Sequence, residues 1–319
     1  MTSDIDRQKA EAVARAQALA ATRLETGESS GRHVEARAFI AAFYEHAPPA
    51  DIAARSPEDL CGGALALWRF ASQRPVGGAR VRVYNPTSAK DGWSSTHTIV
   101  EIVNDDMPFL VDSVTAAIND RGNVVRLVIH PVVTAARDDD GQLMVFGAVG
   151  GISESWMQIE ITRERGAAAS DALAEALGRV LGDVRAAVSD WPKMREILGQ
   201  LSESVERVPA PVPPAEVDEA AAFLRWIDDN NFTLLGLRNY DFAGGEVAPP
   251  LGVLHEPGYR VFGGLRDIDA LPPDVRTFIR RRELLIIGKT DQWSTVHRRA
   301  PMDAIGIRRF DAQDKVSGL

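Results

Sequence analysis

The chain has 319 residues, 45% of them hydrophobic and 25% charged, with 45 acidic against 36 basic side chains for a net charge of −9. This is ordinary globular composition, enough for about two domains with cores of their own, and the acidic balance argues against a general binder of nucleic acid or anionic membrane, whose phosphates need a basic face. The single cysteine, Cys61, excludes a disulfide framework and any multi-cysteine zinc site, no run of 18 apolar residues spans a membrane, and the acidic start (Asp4, Asp6, Glu11) reads as neither signal nor transit peptide, so a soluble cytoplasmic protein is expected.

Residues 1–26 are rich in alanine, the best helix former, but Val13, Leu19 and Leu24 give only a thin apolar stripe, so this helix either frays or docks on something. The polar stretch 26–32 (TGESSGR) breaks the chain. A second helix fits 33–46, with Val34, Phe39, Ile40 and Phe43 near one face, until Pro48 and Pro49 stop it. Ser56-Pro57-Glu58-Asp59 is a strong helix start: a serine cap, proline in the first turn and acids at the positive end of the dipole. That helix runs to about Gln73, and Pro75 and Gly77-Gly78 end it.

The period then changes from 3.6 to 2. Residues 79–84 (ARVRVY) alternate like a strand with one wet face, and 97–103 (HTIVEIV) form the next strand. A helix follows over 109–119, on the stripe Phe109, Leu110, Val114, Ala117 and Ile118, with Gly122 suited to a left-handed cap. An apolar strand over 124–133 contains His130-Pro131. Asp138 to Gly141 reads as an acidic turn, 143–149 as a short strand and 155–162 as another, and helices fit 168–188 and 191–206. The proline-rich 208–214 suits neither helix nor sheet core. Beyond it, a helix over 215–229, a strand over 232–242, a loop-rich 243–270, a helix over 272–282 and strands at 284–289, 294–297 and 304–310 suggest a second α+β module with an antiparallel sheet.

The order strand, helix, strand, strand, helix over 97–188 is that of a ferredoxin-like βαββαβ unit. The expected organisation is an N-terminal helical segment (1–78), this module (79–190), a helix and linker (191–214) and the second module (215–319).

Several blocks resemble the large bacterial NAD-dependent glutamate dehydrogenases. They are HTIVEIVNDDMPFLVDSV (97–114), HPV (130–132), ESWMQIEI (154–161), FLRWIDDNNFTLLGLRNYDF (223–242) and VHRRAPMDAIGIRRFD (296–311), in that order. The resemblance implies ACT-type and helical regulatory segments placed before a distant catalytic domain, and a whole enzyme that converts L-glutamate, NAD and water to 2-oxoglutarate, ammonia and NADH. It implies a piece without catalytic, metal or NAD-binding residues of its own. Its partners would be further copies, the catalytic region of its own chain and an amino-acid effector, with no nucleic acid or membrane. The second module would be PAS-like or ACT-like.

ACT modules carry a glycine-bearing turn between first strand and first helix, where the backbone approaches an amino-acid ligand. Aligned on it, Asp106-Met107-Pro108-Phe109 puts a phenyl ring at the glycine position, where it would crowd the pocket. A ring plugging that pocket would make Phe109→Gly cost roughly 3–5 kcal/mol. The candidate effector or interface residues are thus Asp105, Asp106, Met107, Pro108, Phe109, Asp112 and Asn123. The plainer reading makes Asp105 and Asp106 a cap and dipole partner of the following helix and the segment a purely structural oligomerisation module.

The remaining features read as structural. Asp138 to Asp140 lack the ordered oxygens of a calcium loop. His97, His130, His255 and His297 lack zinc spacing, and His130 fits a satisfied strand-end histidine. Gly147, Gly150, Gly151 and Gly263-Gly264 lack the strand–glycine–helix context of a dinucleotide site. Arg280-Arg281-Arg282 and Arg298-Arg299 suit solvent or intersubunit ion pairs, and the six tryptophans suit core and interface anchoring.

Overall fold

The computed structural model describes residues 3–24, 30–207, 211–242, 245–246, 248–255 and 272–319. The 26–32 break and the proline-rich linker lie partly outside these residues. Gly263-Gly264 and most of the 243–270 loop lie outside them too. By contact the chain divides into two units, residues 1–182 and 183–319.

The first unit begins with four helices: α1 (Asp4–Leu24), α2 (Ser30–Glu45), the single turn α3 (Pro49–Ala53) and α4 (Pro57–Ala71). The Ser56 hydroxyl accepts from the Asp59 amide at 3.1 Å and Pro57 takes the first position, so α4 starts where its capping signal lies. The thin stripe on α1 is supplemented by Ala16 and Ala20, both fully buried, whose small side chains fit a helix packed among helices. Strand β1 (Arg80–Tyr84), the short α5 (Ser88–Asp91) and β2 (Thr98–Asp105) follow, then α6 (Leu110–Asp120), β3 (Val125–Ile129), β4 (Val132–Arg137), β5 (Leu143–Phe146), β6 (Ile152–Ile161) and α7 (Ala167–Arg207).

These strands form one antiparallel sheet in the order β1-β2-β6-β4-β5, with β3 also on β6. The expected strand at 124–133 is two strands, because Pro131 has no amide for the ladder; its carbonyl instead accepts from the Trp156 amide at 3.1 Å. The edge beside β2 is taken by β1, from upstream, rather than by a strand following α7.

Side chains alternate across the sheet, and both faces are covered. One carries Val100, Ile102, Met157, Ile159 and Ile161, all fully buried, and α6 and the start of α7 bury Leu110, Val114, Ile118, Leu173 and Leu177. The other carries Val103, Leu127, Ile129, Val133 and Trp156, which join Phe39, Phe43, Leu60, Leu67 and Trp68 of α2 and α4 in a single core. Phe39 sits 5.1 Å from the Trp156 ring and 5.6 Å from Trp68. The face of β1 expected to be wet is therefore roofed by helices, and the N-terminal helices share the sheet's core. The edge strand β5 is blocked too: Leu143 donates to Ser72 O at 2.7 Å and Phe146 donates to Glu35 of α2 at 3.2 Å, which occupies groups an exposed edge would offer to another strand.

Helix α7 is continuous through Pro192, where a break near residue 190 is expected. In the second unit, α8 (Pro214–Trp226) buries Ala220, Ala221 and Leu224 with Leu198, Val205 and Leu284. A π-turn over Ile227–Asn231 ends it, and Arg195 pairs with Asp228 at 2.6 Å. The expected strand at 232–242 shrinks to β7 (Gly236–Leu237) and β8 (Tyr240–Asp241). With β9 (Gly245–Glu246), β10 (Leu251–Gly252), β13 (Arg309–Phe310) and β14 (Val316–Gly318) these make a two-stranded sheet, β10-β7, and a four-stranded sheet, β13-β14-β8-β9. Helix α9 (Pro273–Ile279) precedes the hairpin β11 (Leu285–Trp293) and β12 (Pro301–Ile307). The expected strand at 294–297 instead lies in the loop joining β11 to β12, where the Ser294 hydroxyl donates to Val296 O and His297 takes φ 63°.

Candidate functional site

The seven candidate residues fall into two groups. Strand β2 ends at Asp105, and the Asp106 amide donates to Ser153 O at 2.9 Å, so this turn sits at one end of the sheet beside β6. Asn123 lies beyond the far end of α6. Its carboxamide is buried, donating to Glu164 at 2.6 Å and accepting from the Thr162 hydroxyl at 2.9 Å. The structure thus separates Asn123 from the other six.

Neither Asp105 nor Asp106 caps α6, a correction to the capping expectation. The cap position is Phe109, with φ 72° and no side-chain hydrogen bond, and its carbonyl accepts the Ser113 amide at 3.0 Å. Asp112 is the acid in the helix's first turn. Asp105 instead turns to Arg74, 2.7 Å away. Phe109 adopts the left-handed backbone that glycine favours. Its ring is only half-buried, which removes the basis for a core-plug cost.

His130, at the break between β3 and β4, approaches the buried Ser155 hydroxyl at 2.6 Å (Nε2 to Oγ). Burial pushes its pKa below the usual value of 6.5, while the charge of Asp106 works in the opposite direction. The imidazole is therefore neutral near pH 7.

The strongest electrostatics in the unit was missed by the sequence reading. On the face roofed by α4, register places Glu101 of β2 beside Gln158 of β6, with Glu154 and Glu160 on the same side of β6. All four are buried. Glu154, fully buried, accepts from Arg137 at 2.6 and 2.8 Å and from the Trp156 indole at 2.8 Å, and forms an ion pair with Arg74 at 3.2 Å. Glu101 accepts from Arg82, from the Tyr84 hydroxyl at 3.0 Å and from Gln158 at 3.1 Å. Burial lifts its carboxyl above the usual range, with the Arg82 charge and these hydrogen bonds opposing. Glu160 is held by both terminal nitrogens of Arg55, and that bond raises the guanidinium pKa. The donors also reach the helix backbone: Gln158 donates to Gly63 O at 3.0 Å, Arg80 to Phe70 O at 2.7 Å and Arg137 to Ala71 O at 2.9 Å. The signal was present in Glu154, Gln158 and Glu160, which alternation places on one side of β6, and in Glu101 of β2, which register sets opposite Arg82 of β1. The arrangement is an ionic clamp that fixes α4 to the sheet.

Among the described residues no group of three His, Cys, Asp or Glu side chains is arranged for a metal ion. Asp138 accepts from the amides of Asp140 and Gln142, at 3.1 and 2.8 Å, which makes the acidic stretch a hairpin turn. Gly147, Gly150 and Gly151 lie between β5 and β6 with no helix after them, so they offer no phosphate cradle at a helix start.

Residues 39–177 match the family model "Glutamate dehydrogenase, ACT1 domain". The chain is 33% identical over 312 residues to an NAD-specific glutamate dehydrogenase of Halomonas elongata, covering 93% of this chain and 19% of the relative. It is 33% identical over 281 residues to that of Pseudomonas aeruginosa (83% and 17%), and 27% identical over 195 residues to that of Mycobacterium tuberculosis (57% and 11%). The chain thus spans about a fifth or less of the length of these curated relatives. No solved structure matches it. The family model and the two longer alignments agree along the chain: it belongs to the NAD-specific glutamate dehydrogenase family and carries that family's ACT1 domain at residues 39–177.

Proposed function

We propose that residues 1–319 form a non-catalytic regulatory and assembly segment of an NAD-specific glutamate dehydrogenase, whose catalytic and NAD-binding machinery lies in the rest of the polypeptide. The observation that carries this reading is the ACT1 match, over a unit whose buried charges are committed to holding helices on a sheet. The β2–α6–β3/β4–β6–α7 run supplies the ferredoxin-like order of an ACT module, with β1 standing in for the closing strand. An effector at such a unit acts only through different affinities for two states of the assembly. The partners proposed are further copies and the catalytic region.

A second reading, a structural module without a ligand at the β2–α6 turn, is favoured by Phe109, whose ring occupies the glycine position. Two measurements test the proposal. Chain 1–319 with L-glutamate and NAD is expected to form no NADH. In the full-length enzyme, Arg55→Ala, which loosens the clamp, is expected to shift the oligomer distribution in light scattering or the response to amino acids. Glutamate-dependent NADH formation by the isolated chain would overturn the non-catalytic assignment. An enzyme indifferent to the loosened clamp in both assembly and regulation would overturn the regulatory one.

A further inference from the structure

In the second unit β11 and β12 form a sheet of only two strands, a size that is marginal by itself in water. The Arg308 amide donates to Leu284 O at 2.9 Å, and Ile286 and Gly288 follow in phase opposite Gly306 and Ala304. Backbone groups alternate in direction along an antiparallel strand, so the amides and carbonyls of Leu285, Ile287 and Lys289 point away from β12. The Leu285 carbonyl takes the Arg308 guanidinium at 3.3 Å. Among the described residues, the outward backbone groups of Ile287 and Lys289 have no partner. This edge is open: Ile287 is 61% exposed, and a Cβ on Gly288 would meet nothing within 4 Å. A lysine is the usual guard of such an edge, but the Lys289 charge is paired with Asp303 at 2.7 Å. The bulge of β11 lies further on, between Lys289 and Trp293.

An added strand satisfies these groups, and their spacing selects which strand. Ile287 and Lys289 flank Gly288, so a two-fold axis at Gly288 sets Ile287 of each copy opposite Lys289 of the other, and every outward amide and carbonyl of both residues is used. Gly288 then faces its own copy at the close, non-hydrogen-bonded position, with Cα atoms about 4.5 Å apart. Neighbouring axes fit worse. At Lys289 the axis sets two ammonium groups directly opposite each other. At Ile287 it needs the Leu285 carbonyl, which already accepts from Arg308. With the axis at Gly288, the exposed Ile287 gains the aliphatic stem of the other copy's Lys289, whose charge Asp303 balances. We infer that β11 is the seam of a dimer, in which a second copy of this chain adds its own β11 antiparallel and the two hairpins become one sheet. The inference names a surface for the assembly half of the proposed function and rests on that half alone, not on an effector.

Light scattering of chain 1–319 over a concentration series is expected to show a dimer that dissociates on dilution. Gly288→Cys brings two thiols within the Cα separation of a disulfide, so oxidised glutathione is expected to join the copies covalently. Ile287→Cys, whose thiols sit diagonally across the axis, is expected to cross-link at least about tenfold more slowly. Cys61 is fully buried and does not compete. Ile287→Pro removes an amide that bonds nothing within its own copy, and is expected to weaken the dimer about tenfold or more. Gly288→Lys, placed in open space, sets like charges on the axis. It is expected to weaken the dimer as much at low salt, with added salt restoring association, and it decides the matter if the proline variant does not fold. The seam is overturned if the chain stays monomeric up to about 1 mM, or if Gly288→Cys cross-links no faster than Ile287→Cys. It is equally overturned if the dimer survives a folded Ile287→Pro or Gly288→Lys unchanged. In these last cases copies meet through another surface, and the assembly reading stands without the seam.

Discussion

A phenylalanine at φ 72° in the β2–α6 turn is the plainest local conflict in the first unit. L-residues in the left-handed region carry about 1–2 kcal/mol of strain, and losing a half-buried ring costs a similar amount. Phe109→Gly is therefore expected within about 1 kcal/mol of the parent protein in urea denaturation, because relief of strain offsets lost burial. Phe109→Ala loses the same ring and keeps the strain, so it should be less stable than the glycine variant by about 1 kcal/mol. A glycine variant several kcal/mol less stable than the parent would show that the ring fills the core. His130 gives a pH signature at the same end of the sheet. Its folded pKa lies below 6.5, so the folded state binds fewer protons than the unfolded chain. That contribution is complete above pH 6.5 and is lost as the pH falls through the lowered value. Melting temperatures measured from pH 7.5 downward should drop more steeply for the parent than for His130→Gln.

Between elements, the β4–β5 turn does more than reverse the chain. Gly141 takes φ 81°, and a Cβ there would lie 1.8 Å from the Arg74 carbonyl oxygen. Its own carbonyl accepts from the Arg74 amide at 3.0 Å and from the Arg137 guanidinium at 2.9 Å. Gly141→Ala must therefore move the turn away from the end of α4 and is expected to cost about 3 kcal/mol or more. Gly122 is the control, with a similar φ of 82° and open space around its Cβ position; there alanine should cost only about 1 kcal/mol. Equal losses in denaturation would show that backbone conformation alone, not the contact with Arg74, sets the cost. Elements of this kind were legible where a local rule was strong. Ser56-Pro57 places the start of α4, and the alternation in β1, β2 and β6 identifies the strands. The rules failed where distant atoms decide. Pro192, which falls in the first turn of the expected 191–206 helix, lies inside the continuous α7, while Pro131 divides a run that reads as one strand over 124–133.

Across the whole first unit, the alternating pattern shows which residues share a face but not what covers it, and water is the default assumption for arginine and glutamate. The helices of residues 4–71 and the strands therefore read as separate segments. Only the register of β1, β2 and β6 reveals that Arg82, Glu101, Glu154, Gln158 and Glu160 meet under α4. The candidate turn was legible as a turn, and its grouping with Asn123 was not, because the length of α6 separates them. Burying these charges is favourable only while each is paired, and removing one partner from a buried pair costs about 3–5 kcal/mol. Arg137→Ala strands Glu154, whose side chain is fully buried, with Arg74 shared between it and Asp105. A loss in that range is expected from denaturant unfolding, along with faster hydrogen exchange in α4, whose Ala71 carbonyl loses its donor. Arg137→Met with Glu154→Leu removes both charges and should recover much of the loss, giving a coupling energy of about 2 kcal/mol or more in a double-mutant cycle. Strict additivity of the two single losses would mean that the pair does not hold the helical layer to the sheet, and that the aromatic contacts of Phe39, Trp68 and Trp156 hold it alone.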